Sequence, residues 1–215
     1  SVRGTTLLDM QCGSGEAALS WANRGARVTG VDGSERRLAE ARRKADLAGL
    51  RVGYVRGNVV RLPFRPASFD RVYTGGGIVA WIPNARAWAR QIARVLKPGG
   101  KFLYWDRHPF TLCLVERKGG KLALGGARGG YFDNRPLVYY GMTQWMKRPK
   151  LLPHVERNWK LMDLFNALVG ANLRLVRVEE ISPPRRHTNL YDSAPRGQER
   201  AYPRQLLMAW EKPRR

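Results

Sequence analysis

Apolar positions in the first hundred residues switch repeatedly between two periods. Short apolar runs alternate with stretches in which apolar side chains recur every three or four positions, the pattern of a parallel sheet covered by helices on both faces. Residues 5–10 (TTLLDM) read as a buried strand, followed by a glycine-containing turn and a helix near 16–23. Residues 27–31 make a second strand. Ser34 is placed to cap a helix whose apolar positions Leu38, Ala41, Ala45 and Ala48 keep helical spacing, and Gly49 sits where that helix stops. Residues 52–55 and 69–73 read as the third and fourth strands. Asn84 caps a helix that buries Trp88, Ile92 and Val95, after which Pro98, Gly99 and Gly100 turn the chain into a fifth strand at 101–105.

Beyond Asp106 the alternation breaks. Residues 109–157 carry hairpin-like pieces at 114–115 and 121–124 with glycine pairs between them, so an insertion after the fifth strand is expected. The rhythm then resumes with a helical stripe of Leu161, Leu164, Phe165 and Leu168, a strand at 173–178 and a last strand at 205–211. Residues 182–204 form a Pro- and Arg-rich loop. The result is an α/β fold. No internal repeat or low-complexity tract is present.

At 215 residues the chain suits one domain with an insertion, and two full catalytic domains will not fit. No apolar run approaches the ~20 residues of a membrane helix, and the run from Leu7 to Met10 is too short for a signal peptide, so a cytoplasmic protein is expected. Two cysteines, Cys12 and Cys113, make neither a disulfide framework nor a four-ligand zinc site. The chain opens at Ser1, only a few residues before its first strand, and further N-terminal sequence is expected to precede it. A net charge of +22 points on its face to a polyanionic partner. The distribution weakens this: each half carries +11, no basic tail stands out, and arginine outnumbers lysine 30 to 9. Nucleic acid is therefore not the favoured partner.

Candidate chemistry concentrates in the first turn, Asp9-Met10-Gln11-Cys12-Gly13-Ser14-Gly15, where a strand ends and a helix begins. Glycines let the backbone pass close to a ligand, and the helix N-terminus offers unpaired N–H groups to an anion. Gly13-x-Gly15-x-x-Ala18 taken alone also matches a dinucleotide fingerprint, or a tight turn that binds nothing. Asp32 ends the second strand at the distance from those glycines where a carboxylate accepts hydrogen bonds from both ribose hydroxyls. Its plain alternative is an acidic residue at a helix start. Gly57-Asn58-Val59 ends the third strand, where a side-chain amide can meet an adenine. All of these lie at carboxyl ends of strands, where open α/β sheets bind ligands.

Taken together, Leu7 to Gly15, Val31-Asp32-Gly33-Ser34, Gly57-Asn58 with Leu62-Pro63-Phe64, Ser68-Phe69-Asp70 and Leu96-Lys97-Pro98-Gly99-Gly100 resemble the class I S-adenosylmethionine-dependent methyltransferases. The later pieces, 105–110 and 164–168, resemble a subgroup of small bacterial members of undefined substrate. The resemblance implies a Rossmann-like, seven-stranded, mostly parallel sheet with an antiparallel last strand and helices on both faces. It implies one methyltransferase domain over 1–215, lacking the N-terminal helices that close over the cofactor in relatives. Asp9 and the turn of Gly13, Ser14 and Gly15 would hold the methionine part of S-adenosyl-L-methionine and Asp32 the ribose, with Gln11, Cys12 and Gly33 also among the cofactor-binding residues. Asn58 and Val59 would take the adenine, and Thr74, Gly75 and Gly76 would border the transferred methyl. Two departures stand out. Gln11 replaces the usual glycine and puts a side chain at the methionine end, and Asn58 replaces the usual aspartate with a neutral acceptor. Weaker cofactor affinity is the expectation.

A dehydrogenase uses the same glycines and Asp32, but leaves Asp9 and the 97–100 turn unexplained, and the chain has no Tyr followed four positions later by Lys. Methyl transfer is an in-line displacement dominated by positioning, so a protein base is optional. His108, following the fifth strand, is the best-placed base, with His154 and His187 behind it; a histidine merely hydrogen-bonded before Pro109 is the plainer alternative. No metal is expected: Asp133-Asn134 fits a turn. Ser182-Pro183-Pro184 follows the sixth strand, where the proline motif of amino-group DNA methyltransferases belongs after the fourth. Cys12 is expected packed in the turn, and Trp81, Trp105, Trp145 and Trp159 are candidates to stack a ring, with Trp88 in the core. Residues 109–157 are expected to form a substrate lid. The expected function is methyl transfer to a small molecule, with an RNA methyltransferase and a non-catalytic cofactor-binding module as alternatives.

Overall fold

A computed structural model describes residues 1–77, 79–116, 122–124, 131–133, 135–140, 153–182 and 203–214. Seven strands form one sheet: β1 (Thr6–Met10), β2 (Arg27–Asp32), β3 (Val52–Arg56), β4 (Phe69–Gly75), β5 (Leu96–Arg107), β6 (Arg174–Ile181) and β7 (Gln205–Glu211). Their order across the sheet is β3-β2-β1-β4-β5-β7-β6. β1 to β5 are mutually parallel, and β7 runs antiparallel to both β5 and β6. The expected sheet, with its antiparallel last strand, is the one found. Parallel neighbours are joined by crossovers, and the connections β1 to β2, β2 to β3 and β4 to β5 each carry a helix.

Four helices cover the sheet: α1 (Glu16–Asn23), α2 (Glu35–Leu47), α3 (Ala85–Val95) and α4 (Leu161–Gly170). Ser34 and Asn84 cap α2 and α3 as expected, their side chains accepting from the Arg37 and Ala87 N–H groups. Strand alternation divides the core. Leu8, Met10, Val72, Phe102, Tyr104, Met208 and Trp210 face α3 and α4, where Trp88 meets Phe102 edge-on at 5.6 Å and Phe165 meets Trp210 at 5.3 Å. Leu7, Val28 and Tyr73 face α1, beside Ala18 and Trp21. Each large side chain fully buried in this way contributes about 1.5–3 kcal/mol.

Along β5 and β7 the alternation is strict: Phe102, Tyr104, Leu206 and Met208 are fully buried, whereas Leu103, Trp105, Leu207 and Ala209 on the α1 side are partly open. β5 begins earlier than expected because Gly99 N–H donates to Lys212 O (2.8 Å) and Lys212 N–H to Gly100 O (2.9 Å), drawing the turn residues into the sheet. β6 is likewise longer than expected, running to Ile181 against β7. In the region expected to be inserted, Leu114–Glu116 pairs antiparallel with Leu122–Leu124, and Leu137–Tyr140 with Pro153–Glu156. Among the described residues no helix is long and apolar enough to cross a membrane.

Candidate functional site

The turn after β1 is shaped by backbone that side chains rarely adopt. Gln11 (φ 57°), Gly13 (φ 54°) and Gly15 (φ 87°) all lie in the left-handed region. Gly15 precedes α1 and has no side chain to cap it, and of the first-turn N–H groups that of Ala18 is taken by Asp9. A Cβ at Gly15 would fall 2.6 Å from Tyr54 Oη and 2.9 Å from Ala41 Cβ, so glycine is needed for close packing as well as for the turn. Gly30 plays the same part below: a Cβ there would meet Cys12 Sγ and the Tyr54 ring. Cys12 is packed in the turn, and burial pushes its thiol far up, which removes it as a nucleophile.

Two carboxylates frame this turn. Asp32 Oδ2 accepts from Gly13 N–H (2.9 Å) and its Oδ1 from Ser34 N–H (2.8 Å), fixing the acid between the glycine turn and the start of α2. Each oxygen retains a lone pair for a ligand hydroxyl. Asp9 is only 2% exposed, and its Oδ2 has no hydrogen-bond partner. Burial raises its pKa to about 8; the charges of Asp32 and Glu16 add to the shift and a hydrogen bond from Ala18 N–H draws it partly back.

These groups line one cavity of about 1450 Å³ at the carboxyl ends of the strands. The structure brings Asp9, Gln11, Cys12, Gly13, Ser14, Asp32, Gly33, Asn58, Val59, Gly75 and Gly76 to its wall. Three residues named from sequence are not on that wall. Gly15 lies behind the turn. Thr74 is wholly buried and donates to Met10 O (3.3 Å), tying β4 to β1. His108 follows the buried, even-numbered side of β5; its Nδ1 accepts from Phe110 N–H (3.1 Å) and its Nε2 stands 3.1 Å from Glu180 Oε1. Burial lowers its pKa against the pull of Glu180. Asn58 Oδ1 accepts from Val60 N–H (3.0 Å), a local turn that orients the side chain.

The cavity has a second wall that the motifs do not announce: Tyr73, Leu103, Trp105 and Leu207 on the open side of the sheet, with Trp81 and Trp21. Asp106 shapes the glycine loop between the walls. Its carboxylate, buried and raised in pKa by that burial, accepts from Gly77 N–H (2.7 Å), Val79 N–H (3.1 Å) and Arg107 N–H (2.7 Å). Period-two alternation in β5 and β7 places Leu103, Trp105 and Leu207 on one face, but only the pairing of the strands shows that this face opens into the cavity. His187, Trp145, Asn134 and Pro183-Pro184, with the loop 183–202, lie outside the described residues. Among the described residues no group of three or more His, Cys, Asp or Glu is placed to hold a metal ion.

The polar groups fit S-adenosyl-L-methionine: the open Oδ2 of Asp9 suits its ammonium, the start of α1 its carboxylate, and Asp32 its ribose. Comparison with known proteins agrees. Residues 7–100 match the family model described as a methyltransferase domain. The chain is 42% identical over 119 residues to the ubiquinone/menaquinone biosynthesis C-methyltransferase UbiE of Paracoccus denitrificans, covering 53% of this chain and 46% of that protein. It is 38% identical over 108 residues to demethylmenaquinone methyltransferase of Listeria welshimeri, covering 48% and 45%. The matches thus span less than half the length of these relatives. The crystal structure of an S-adenosylmethionine-dependent methyltransferase from Mesorhizobium loti superposes with a TM-score of 0.72 at 24% identity, covering 98% of this chain and 92% of that one. The strand order, the glycine turn and the sequence match converge on residues 7–100 as a methyltransferase domain, set in the Rossmann-like fold of the solved methyltransferase.

Proposed function

We propose that this protein transfers a methyl group from S-adenosyl-L-methionine to a small-molecule acceptor. The observation that carries the reading is the unpartnered Oδ2 of Asp9, buried in a cavity whose ~1450 Å³ exceeds the roughly 300–1,000 Å³ of a pocket for one drug-sized ligand. Asp9 pairs the cofactor's ammonium, the start of α1 takes its carboxylate, Asp32 accepts from the ribose, and Asn58 and Val59 border the adenine. When bound, the cofactor supplies a methyl already activated on a sulfonium. The protein's work is then to align the acceptor and exclude water.

The acceptor wall of Trp105 and Leu207 suits an apolar ring, and the two curated relatives are named for quinone methylation. The segment 109–157 completes the acceptor site in this reading. Its end is tied beside Trp81: Arg157 N–H donates to Ala80 O (2.9 Å) and Trp159 Nε1 to Ile82 O (3.0 Å). One observation favours a second reading, RNA as acceptor, namely the charge of +22. Calorimetry with S-adenosylhomocysteine, followed by labelled methyl incorporation into small-molecule and RNA pools, separates the cases. A small-molecule enzyme labels the former with little salt dependence, and an RNA enzyme binds RNA with a steep salt slope. Absence of S-adenosylhomocysteine binding overturns both.

A further inference from the structure

The two walls of the cavity are joined by a single row of residues across the sheet. Asp9 of β1 is in register with Tyr73 of β4, Tyr73 with Leu103 of β5, and Leu103 with Ala209 of β7. One step toward the carboxyl ends, Gly75 is in register with Trp105 and Trp105 with Leu207. Partners in register project to the same face, so the Asp9 carboxylate and the apolar wall share one surface, and Tyr73 stands between them.

The Tyr73 side chain bridges the two rows. A Cβ at Gly75 would fall 2.5 Å from Tyr73 Oη and would collide with the Trp105 carbonyl oxygen, so the hydroxyl occupies the space above a residue with no side chain of its own. Trp21 holds the ring edge-on at 5.5 Å, and the hydroxyl makes no hydrogen bond among the described residues. Trp105 is 43% exposed, with its indole anchored by Nε1 donating to Gln205 Oε1 (3.3 Å). No charged side chain from β4, β5 or β7 joins the wall among the described residues, whereas Arg24, Arg37 and Arg56 line the cavity with the cofactor groups.

Resting on the methyltransferase reading, we propose that Tyr73, Trp105 and Leu207 form the acceptor subsite for a planar aromatic ring bearing an oxygen. The ring lies flat against Trp105 and Leu207, and its oxygen accepts a hydrogen bond from the Tyr73 hydroxyl, beside Gly75 and Gly76. A flat strand surface matches a flat ring, and an indole already fixed by Gln205 loses little freedom on contact. Tyr73 is buried and its pKa is raised by that burial and by the charges of Asp9 and Asp106, so it remains a donor across the working pH range.

The test is calorimetric titration of 1-naphthol into the protein, with and without S-adenosylhomocysteine, for the parent, Tyr73→Phe and Trp105→Ala. Trp105→Ala is expected to weaken 1-naphthol at least tenfold and Tyr73→Phe about fivefold, the loss of one net hydrogen bond. Both variants should bind S-adenosylhomocysteine within about twofold of the parent, which also shows that they fold. A parent that does not bind 1-naphthol, or variants that bind it equally well, overturn the subsite. A parent that takes up 1-naphthol, loses it in Trp105→Ala, yet ignores S-adenosylhomocysteine would keep the subsite and overturn the cofactor reading instead.

Discussion

The two walls of one cavity, one proposed for the cofactor and one for the acceptor, are built by opposite means. On the first, Asp9, Gly13 and Asp32 work through backbone turns and buried carboxylates: the peptide N–H groups of Gly13 and Ser34 hold Asp32, and three left-handed residues fold the chain around the site. On the second, Tyr73, Trp105 and Leu207 work through ordinary strand side chains on the α1 side of the sheet, where Trp105 and Leu207 stay partly open. The first wall is set by backbone conformation, and a side chain added at Gly15 meets Tyr54 and Ala41. The second is a surface, and surfaces can be re-lined without loss of the fold.

The sharpest way to break the first wall alone is Gly15→Ala. A methyl at φ +87°, 2.6 Å from Tyr54 Oη, combines backbone strain with overpacking, and about 3 kcal/mol or more of stability should be lost in a denaturant melt. A comparable change at Trp105, half-exposed on the second wall, should leave the melt near the parent's.

Asp9 offers the next test, through pH. Its carboxyl is protonated in the free folded chain below about 8, but must ionise to pair with an ammonium. Affinity for S-adenosylhomocysteine should therefore climb up to tenfold per pH unit from 6 toward 8 and level off above, with proton release detectable by calorimetry in two buffers. Stability moves the other way: the folded chain holds a proton that the unfolded chain has lost, so this residue costs stability increasingly from about pH 4 to about 8. Asp9→Asn should flatten both profiles. A pH-independent affinity in the parent would separate Asp9 from the ammonium.

Asp32→Ala should weaken S-adenosylhomocysteine tenfold or more, about 1.5–3 kcal/mol for each lost charge-assisted bond, while 1-naphthol binding stays near the parent's. The smallest effect is expected from Gln11→Gly. Relief of a left-handed side-chain residue, offset by glycine's greater freedom when unfolded, should change stability by less than about 1 kcal/mol. Cofactor affinity should rise about threefold, because Gln11 lines the cavity beside Asp9.

What the sequence by itself determined was the local chemistry. The seven strands and four helices, the caps at Ser34 and Asn84, and the Asp9-to-Gly15 turn with Asp32 were legible because each rests on residues a few positions apart, where spacing dictates geometry. Even the crowding expected of Gln11 has a local cause, a side chain in a conformation suited to glycine. Only the tertiary structure decided which sheet face stays open. It turned His108 toward Glu180 and sank Thr74 beneath β1, two residues whose neighbourhoods depend on the side of the strand they occupy. It also joined Trp105 to Gln205 and Leu207 across a hundred residues of chain. Strand alternation tells which residues share a face, but not what covers that face. That depends on strand order, and strand order is set by the burial of the whole sheet rather than by any segment within it.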